Sequence, residues 1–555
     1  QDEIFSFFIA SCVCVLIFTG FVLTSDQLEH WFVIPVMVCG VIICSDAVDW
    51  MRGRMNLFDP AGILGLIGFH FFFLAPLLHV LWDEWMPYID PPRDWRPWLG
   101  GMAVLNCLGL FIYRFSRGSR HNILTNVARR QPIWRVTSKK FIPVVILALV
   151  ITALLQIYVY QLVGGIEGYM SAYKEGRDSG FTDSSFKGFG LLFVVSESFP
   201  ILAMMTFVMY ARQHKSARSW TILATALLGY FVLLMLFGGL RGSRSNTLYS
   251  LFLGVGMLHL FVRPVSKKML AIGLMFALSF MYLYGFYKEV GAEAITAFEG
   301  QASRTDMEKK TGRTFHGMLL GDLGRSDVQA FLLYRLWPSP TNYDYAWGET
   351  YIGTAALVVP RAFWPNRPPT KEKAGTEAMY GRGSHHPQLW QAQNIYGLAG
   401  ETILNFGPLT APFAFIVLGL VVKKIRLMLA TLDVQDARWL IIPFLALLTV
   451  NILTSDSDNL LWFTVKFGMV PFLVIATSCS KSFIRSSHLT VNLTDNMEQI
   501  YHFADNAPVG MSGQERYKFF GYILRRLSGL NLFLWPGRSV KHYKNPELPD
   551  WLAGT

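Results

Sequence analysis

Residues 351–369 read YIGTAALVVPRAFWPNRPP. Arg361 and Arg367 bracket Phe363 and Trp364, and X-Pro steps stiffen the backbone around them, so this stretch does not continue a membrane-spanning helix. It is the centre of a polar island, residues 288–395, set between two strongly hydrophobic halves. Nine apolar runs lead up to the island and three follow it. The chain therefore reads as an all-α polytopic membrane protein of about twelve transmembrane helices, with a large extracytoplasmic loop domain between spans nine and ten.

Composition supports that class. Charged residues make up 16% of the 555 positions, and the mean hydropathy is +0.35, too apolar for a soluble protein of this size. The net charge of +11 is not a nucleic-acid signal. The basic residues lie between apolar runs, where they set topology and meet anionic headgroups. The six cysteines fall in or beside apolar runs, without the spacing of a metal site or a disulfide framework. No metal and no cofactor is expected.

The expected spans are roughly 4–24, 31–45, 60–82, 97–115, 141–162, 188–211, 220–239, 246–262, 269–287, 404–422, 438–454 and 460–479. The first reads as a span and not as a removable signal. Residues 1–287 form one membrane portion and 396–479 the other. Residues 480–555 form a polar tail whose segment 516–535 has the aromatic and basic spacing of an in-plane amphipathic helix. Loops on one side carry 20 lysines and arginines, eight of them in 114–140 without a single acid; the opposite short loops carry seven. The rich side reads as cytoplasmic, which places both termini inside and the island outside.

Several constellations point to chemistry. FGGLRGSRSN, residues 237–246, puts Arg241 and Arg244 three apart at the outer end of span seven. Two permanently charged guanidinium forks there suit the phosphates of a membrane-embedded lipid, or they simply snorkel to headgroups. Glu401, in GLAGETILNFG, reads either as a base or as a helix N-terminal carboxylate. His386 follows His385 in the island and is a second candidate base. Trp347 and Trp364 belong to an aromatic set able to stack on sugar faces or to lie at the membrane interface. Glu197 and Lys466 lie inside spans and are expected to pair or to mark a proton path. The Asp456–Asp458 DSD reads as a turn.

The order of these pieces resembles the oligosaccharide repeat-unit polymerases, the Wzy-type O-antigen and exopolysaccharide polymerases. The matching segments are NLFDPAGILGL (56–66), GGIEGYMSAYKEGR (164–177), GGLRGSRSN (238–246), PRAFWPNRPP (360–369) and GETILNFG (400–407). The resemblance covers most of the hydrophobic region and leaves out the tail. It implies a GT-C-like helical fold in the inner membrane and inverting, metal-independent glycosyl transfer at the outer face. Undecaprenyl-pyrophosphate-linked glycan would be the substrate, and a flippase and a chain-length regulator of the same pathway the protein partners. Arg241, Arg244, Arg361 and Arg367 would hold pyrophosphate, and the base would be Glu401 or His386. An O-antigen ligase and a transporter or flippase of lipid-linked sugars are the competing readings.

Overall fold

The computed structural model describes residues 2–86, 90–118, 133–178, 190–242, 244–298, 300–340, 342–359, 363–386, 394–433 and 436–482. Arg361 and the tail segment 516–535 lie outside the described residues. Residues 1–482 form one compact unit.

The first half contributes α1 (Asp2–Val22), α2 (Val33–Met51), α3 (Pro60–Trp82), α4 (Arg96–Arg117), α5 (Ser138–Leu162), the short α6 (Gly165–Asp178), α7 (Gly190–Gln213), α8 (Trp220–Leu236), α9 (Arg244–Phe261) and α10 (Lys267–Val290). The island supplies α11 (Gln301–Thr311), α12 (Ser326–Leu336), α13 (Glu349–Ala356) and α14 (Lys371–Tyr380). Then come α15 (Gly397–Phe406), α16 (Ala411–Thr431), α17 (Ala437–Thr454) and α18 (Ser457–Ser478). Among the described residues ten helices are long and apolar enough to cross a bilayer. The other two expected spans are also helices. They are α9, which carries Arg244 and His259, and α16, which carries Lys423, Lys424 and Arg426 in its second half.

The outward faces fit lipid as solvent. Only 17% of the most apolar window of α1, and 17% of that of α10, is buried, against 72% for α2. Ile4, Phe8 and Leu16 on α1 and Ile272, Leu274 and Met275 on α10 are exposed. In water such faces would drive aggregation; against hydrocarbon they carry no penalty. Inside, two packed sectors share α17. Ala446, Val450 and Ile452 belong to the sector built on α2, α3 and α4, while Phe444 and Leu447 belong to the one built on α5, α7, α8 and α18.

Small residues set the contact between α4 and α16. A Cβ on Gly109 of α4 would stand 2.5 Å from the Phe415 ring of α16, and one on Gly419 would stand 2.8 Å from the Tyr113 carbonyl oxygen. Neither glycine tolerates a side chain, which is how α4 and α16 approach so nearly. At the expected cytoplasmic end, Asp46 of α2 receives both Nη1 (2.5 Å) and Nη2 (2.8 Å) of Arg117, and Asp59 pairs with Arg426 at 3.2 Å. A two-stranded antiparallel ladder, β1 (Ile133–Val136) with β2 (Cys479–Ser482), ties the start of α5 to the end of α18, Val136 pairing with Cys479.

Three expectations change. Span ten does not begin at 404. The chain breaks at Gly407, whose φ of +89° is a glycine conformation, and at Pro408, so α15 ends before α16 begins. Span two runs on to Met51 because Asp46 and Asp49 are paired with Arg117 and Arg54 and do not end the helix. The island is not uniformly solvated: Ala330, Phe331, Leu332 and Leu336 of α12 are buried in the main core. Gly101 of α4 lies against Leu333, and the Trp98 and Tyr334 rings meet edge-on at 5.3 Å.

Candidate functional site

The island folds back over the expected outer ends of α3, α9 and α10. The Tyr284 and Tyr287 hydroxyls of α10 donate to the carbonyls of Gly239 and Leu240, fixing the FGGLRG turn. His316 of the island stacks on Trp82 at the end of α3, with centroids 3.9 Å apart and planes at 9°. Between these contacts lies an open cavity of about 410 Å³. Its wall includes His79, Glu84 and Trp85 from the α3 end, Arg244 from α9, Tyr282 from α10, and Arg313, Asp322 and Asp327 from the island.

Two arginines from distant segments share one carboxylate here. Arg244 Nη2 lies 2.5 Å from Asp322 Oδ1, and Arg313 Nη1 lies 3.8 Å from Asp322 Oδ2. Arg313 also faces Glu289 at 3.6 Å. Gly312, at φ +66°, ends α11 in the left-handed region and turns the chain so that Arg313 follows directly. The 321–325 turn is held by Arg325, whose Nη1 donates to the carbonyls of Gly321, Asp322 (3.1 Å) and Gly324 (2.5 Å). Burial pulls the Arg325 guanidinium below its usual range, while Asp456, Asp322 and Asp327 act in the opposite sense.

The arginine pair singled out in the sequence divides. Arg244 enters the cavity. Arg241 turns inward: its Nη2 donates to Glu197 Oε1 at 2.6 Å and its guanidinium lies over the Phe193 ring at 4.2 Å. Glu197 is also paired with Lys466 and accepts from Asn246 Nδ2 at 2.8 Å. The expected Glu197–Lys466 pair therefore forms, with Arg241 as a second cation. Three partners around one carboxylate make it a knot between α7, the α8–α9 turn and α18.

The remaining sequence candidates lie elsewhere. Glu401 is 3% exposed and is not in the cavity wall. It accepts from Thr350 Oγ1 at 2.8 Å and from both the backbone N and the Oγ of Ser457 at 2.6 Å, so it caps the N-terminus of α18 and not that of its own helix. Arg367 donates to the Val359 carbonyl at 3.3 Å. His386, Trp347 and Trp364 are exposed. Trp347 meets the Phe406 ring edge-on at 6.4 Å, and Leu409 and Phe413, which follow Phe406 in the chain, are exposed as well. That setting fits the interfacial reading of these aromatics.

The DSD segment is more than a turn. Asp456 is fully buried, pairs with Lys371 of α14, and accepts from the backbone N of Tyr396 at 2.9 Å and of Gly397 at 2.8 Å. Among the described residues no group of three metal-ligating side chains forms.

Burial, followed by the nearby Asp456 carboxylate, pushes the Glu401 carboxyl up to about 7, against the pull of its three hydrogen bonds. The folded protein thus holds this proton more tightly than the unfolded chain does. The associated stability is complete below about pH 4.5 and is lost as pH rises through about 7. Glu401→Gln keeps the shape and hydrogen-bonding capacity without the charge. Relative to wild type it is neutral near pH 5 and more stable by about 1–3 kcal/mol at pH 8. Thermal unfolding of the detergent-purified protein at the two pH values measures this; equal differences at both pH values refute it.

Arg313, Asp322, His79 and Asp327 escaped the sequence reading. The available signals are weak: arginines directly after glycine in TGRT and LGRS, and an ionisable side chain in the last turn of an apolar run. No protein-family model, curated protein or solved structure matches the chain.

Proposed function

We propose that this protein is a membrane glycosyltransferase that polymerises undecaprenyl-pyrophosphate-linked oligosaccharide repeat units at the outer face of the inner membrane. The observation that carries the reading is the convergence of Arg244 and Arg313, from segments 69 positions apart in the sequence, on one open cavity. A diphosphate offers more acceptor oxygens and more charge than the Asp322 carboxylate they share, and replaces it as their common acceptor. One wall of the cavity is α10, which is lipid-facing over most of its length. That suits a ligand whose polyprenyl tail stays in the leaflet while its head group enters the protein.

In the proposed reaction the acceptor sugar hydroxyl attacks the anomeric carbon of the donor from the face opposite the pyrophosphate, inverting it. The two guanidiniums stabilise the charge that collects on the departing diphosphate. The Glu197 knot keeps the FGGLRG turn in place beneath Arg244.

A deletion strain tests the assignment. One lipid-linked repeat unit accumulates when the gene is removed, and chain lengthening returns on complementation. Accumulation of full-length lipid-linked polymer instead assigns the protein as a ligase, and failure of the repeat unit to reach the outer face assigns it as a flippase.

A further inference from the structure

His79, in the last turn of α3, is 1% exposed. Its Nδ1 lies 2.6 Å from the backbone oxygen of Glu84. A carbonyl oxygen only accepts, so Nδ1 carries the hydrogen, and the lone pair of the neutral ring is at Nε2. Among the described residues Nε2 has no hydrogen-bond partner. Asp327 Oδ1 is the carboxylate facing it, at 3.9 Å, beyond hydrogen-bond range. The ring is held flat against Trp85, with centroids 5.1 Å apart and planes at 15°, and Trp85 is stacked on Trp95 at 4.8 Å and 6°. A core histidine normally satisfies both nitrogens, because a buried polar atom without a partner is costly. Here the tautomer is fixed, the ring is clamped, and the basic nitrogen is buried without a partner in a residue that lines the same cavity as Arg244, Arg313 and Asp327.

We propose that His79 Nε2 is the general base of the transfer and that Asp327 stabilises the imidazolium it becomes. The proposal rests on the cavity being the glycosyl-transfer site. The acceptor O–H proton passes to Nε2 as the oxygen forms its bond to the anomeric carbon. The bond from that carbon to the pyrophosphate oxygen breaks, and its electron pair leaves with the lipid diphosphate. The proton on His79 then passes to that diphosphate or to water, which returns the neutral ring. His79 and Asp327 thus supply the proton acceptor that neither the buried Glu401 nor the exposed His386 offers at this cavity.

Two variants and two readouts test this. His79→Asn retains a donor for the Glu84 carbonyl and lacks Nε2; His79→Gln places an amide near the Nε2 position that does not take up a proton at neutral pH. Each is purified for binding to undecaprenyl pyrophosphate in detergent, and assayed in the deletion strain for lengthening of lipid-linked repeat units. Both variants lose about 100-fold or more in turnover, while undecaprenyl pyrophosphate affinity stays within about threefold of wild type. Near-normal turnover in either variant overturns the proposal. So does a loss of affinity in step with turnover, which makes His79 a positioning residue. Should His79→Asn fail to accumulate, His79→Gln alone decides. Arg244→Lys separates the parent reading: if it changes neither affinity nor turnover, the cavity is not the transfer site and both assignments fall.

Discussion

Replacing Arg244 or Arg313 by lysine lowers repeat-unit polymerisation about 30- to 1,000-fold while protein level and membrane insertion stay normal. Lysine preserves the charge and loses the planar fork, so the effect isolates bidentate recognition of the leaving diphosphate. A charge-assisted contact made fully only in the transition state is worth about 2–4 kcal/mol, which sets the range. Neither residue is needed for the core: both are half-buried, and their shared partner Asp322 lies at the cavity wall. Arg382, on the same island, is a suitable control. It pairs with Asp344 at 2.5 Å with both side chains well exposed, and Arg382→Lys stays within about threefold of wild type. The readout is the length distribution of lipid-linked glycan in the complemented deletion strain. Wild-type chain length from both Arg244→Ala and Arg313→Ala refutes the diphosphate clamp. Arg241→Lys belongs to a different class, because it loosens the Glu197 knot and lowers thermal stability together with activity.

Lys371→Met destabilises the protein by about 3–5 kcal/mol. The ammonium is 2% exposed and pairs with Asp456, which is fully buried; Asp458 stands 3.9 Å away, and the Asn394 carbonyl accepts from Nζ at 3.0 Å. Burial acts to lower the Lys371 pKa, yet the Asp456 carboxylate more than reverses this and holds it above its ordinary value. Removing the cation leaves a carboxylate stranded at the junction of α14, α15 and α18. Lys371→Met combined with Asp456→Asn removes both charges, and the amide oxygen still accepts from the Tyr396 and Gly397 backbone nitrogens. The double variant recovers most of the loss, since the cost lies in the unpaired charge and not in the absence of the pair. Thermal unfolding in detergent of the two single variants and the double variant gives the coupling; additive effects refute the account.

Particular residues show what the sequence makes legible. Helix positions follow from runs of about 20 apolar residues, a signal that needs no knowledge of neighbours, and all twelve expected spans fall on helices, the tenth interrupted at Gly407–Pro408. Arg244 is legible because arginines are scarce on the side the charge bias assigns to the outside. Arg313 and Asp322 are not, because their importance arises only where α11, α9 and the 321–325 turn meet in space. His79 sits in LLHVLW like any polar residue near a helix end; its unpartnered nitrogen depends on the carbonyl of Glu84 and the plane of Trp85. Glu401 shows the converse. Its surroundings in sequence, small residues beside a helix start, fit a base, but three donors from α13 and α18 enclose it. The α15–α16 break is written plainly as Gly407–Pro408, and the apolar residues on both sides hide it.

The burial of α12 bears on the order of assembly. Phe331, Leu332 and Leu336 fill the core beside α4, yet they are synthesised only after α1 to α10 have left the ribosome. Until residues 326–336 arrive and fold back, these helices form a bundle with an unfilled seat at one end. The island is consequently a late keystone and not a detachable module. A chimera that exchanges residues 288–395 for the loop of another protein alters the maturation of the membrane portion itself, before any question of substrate arises.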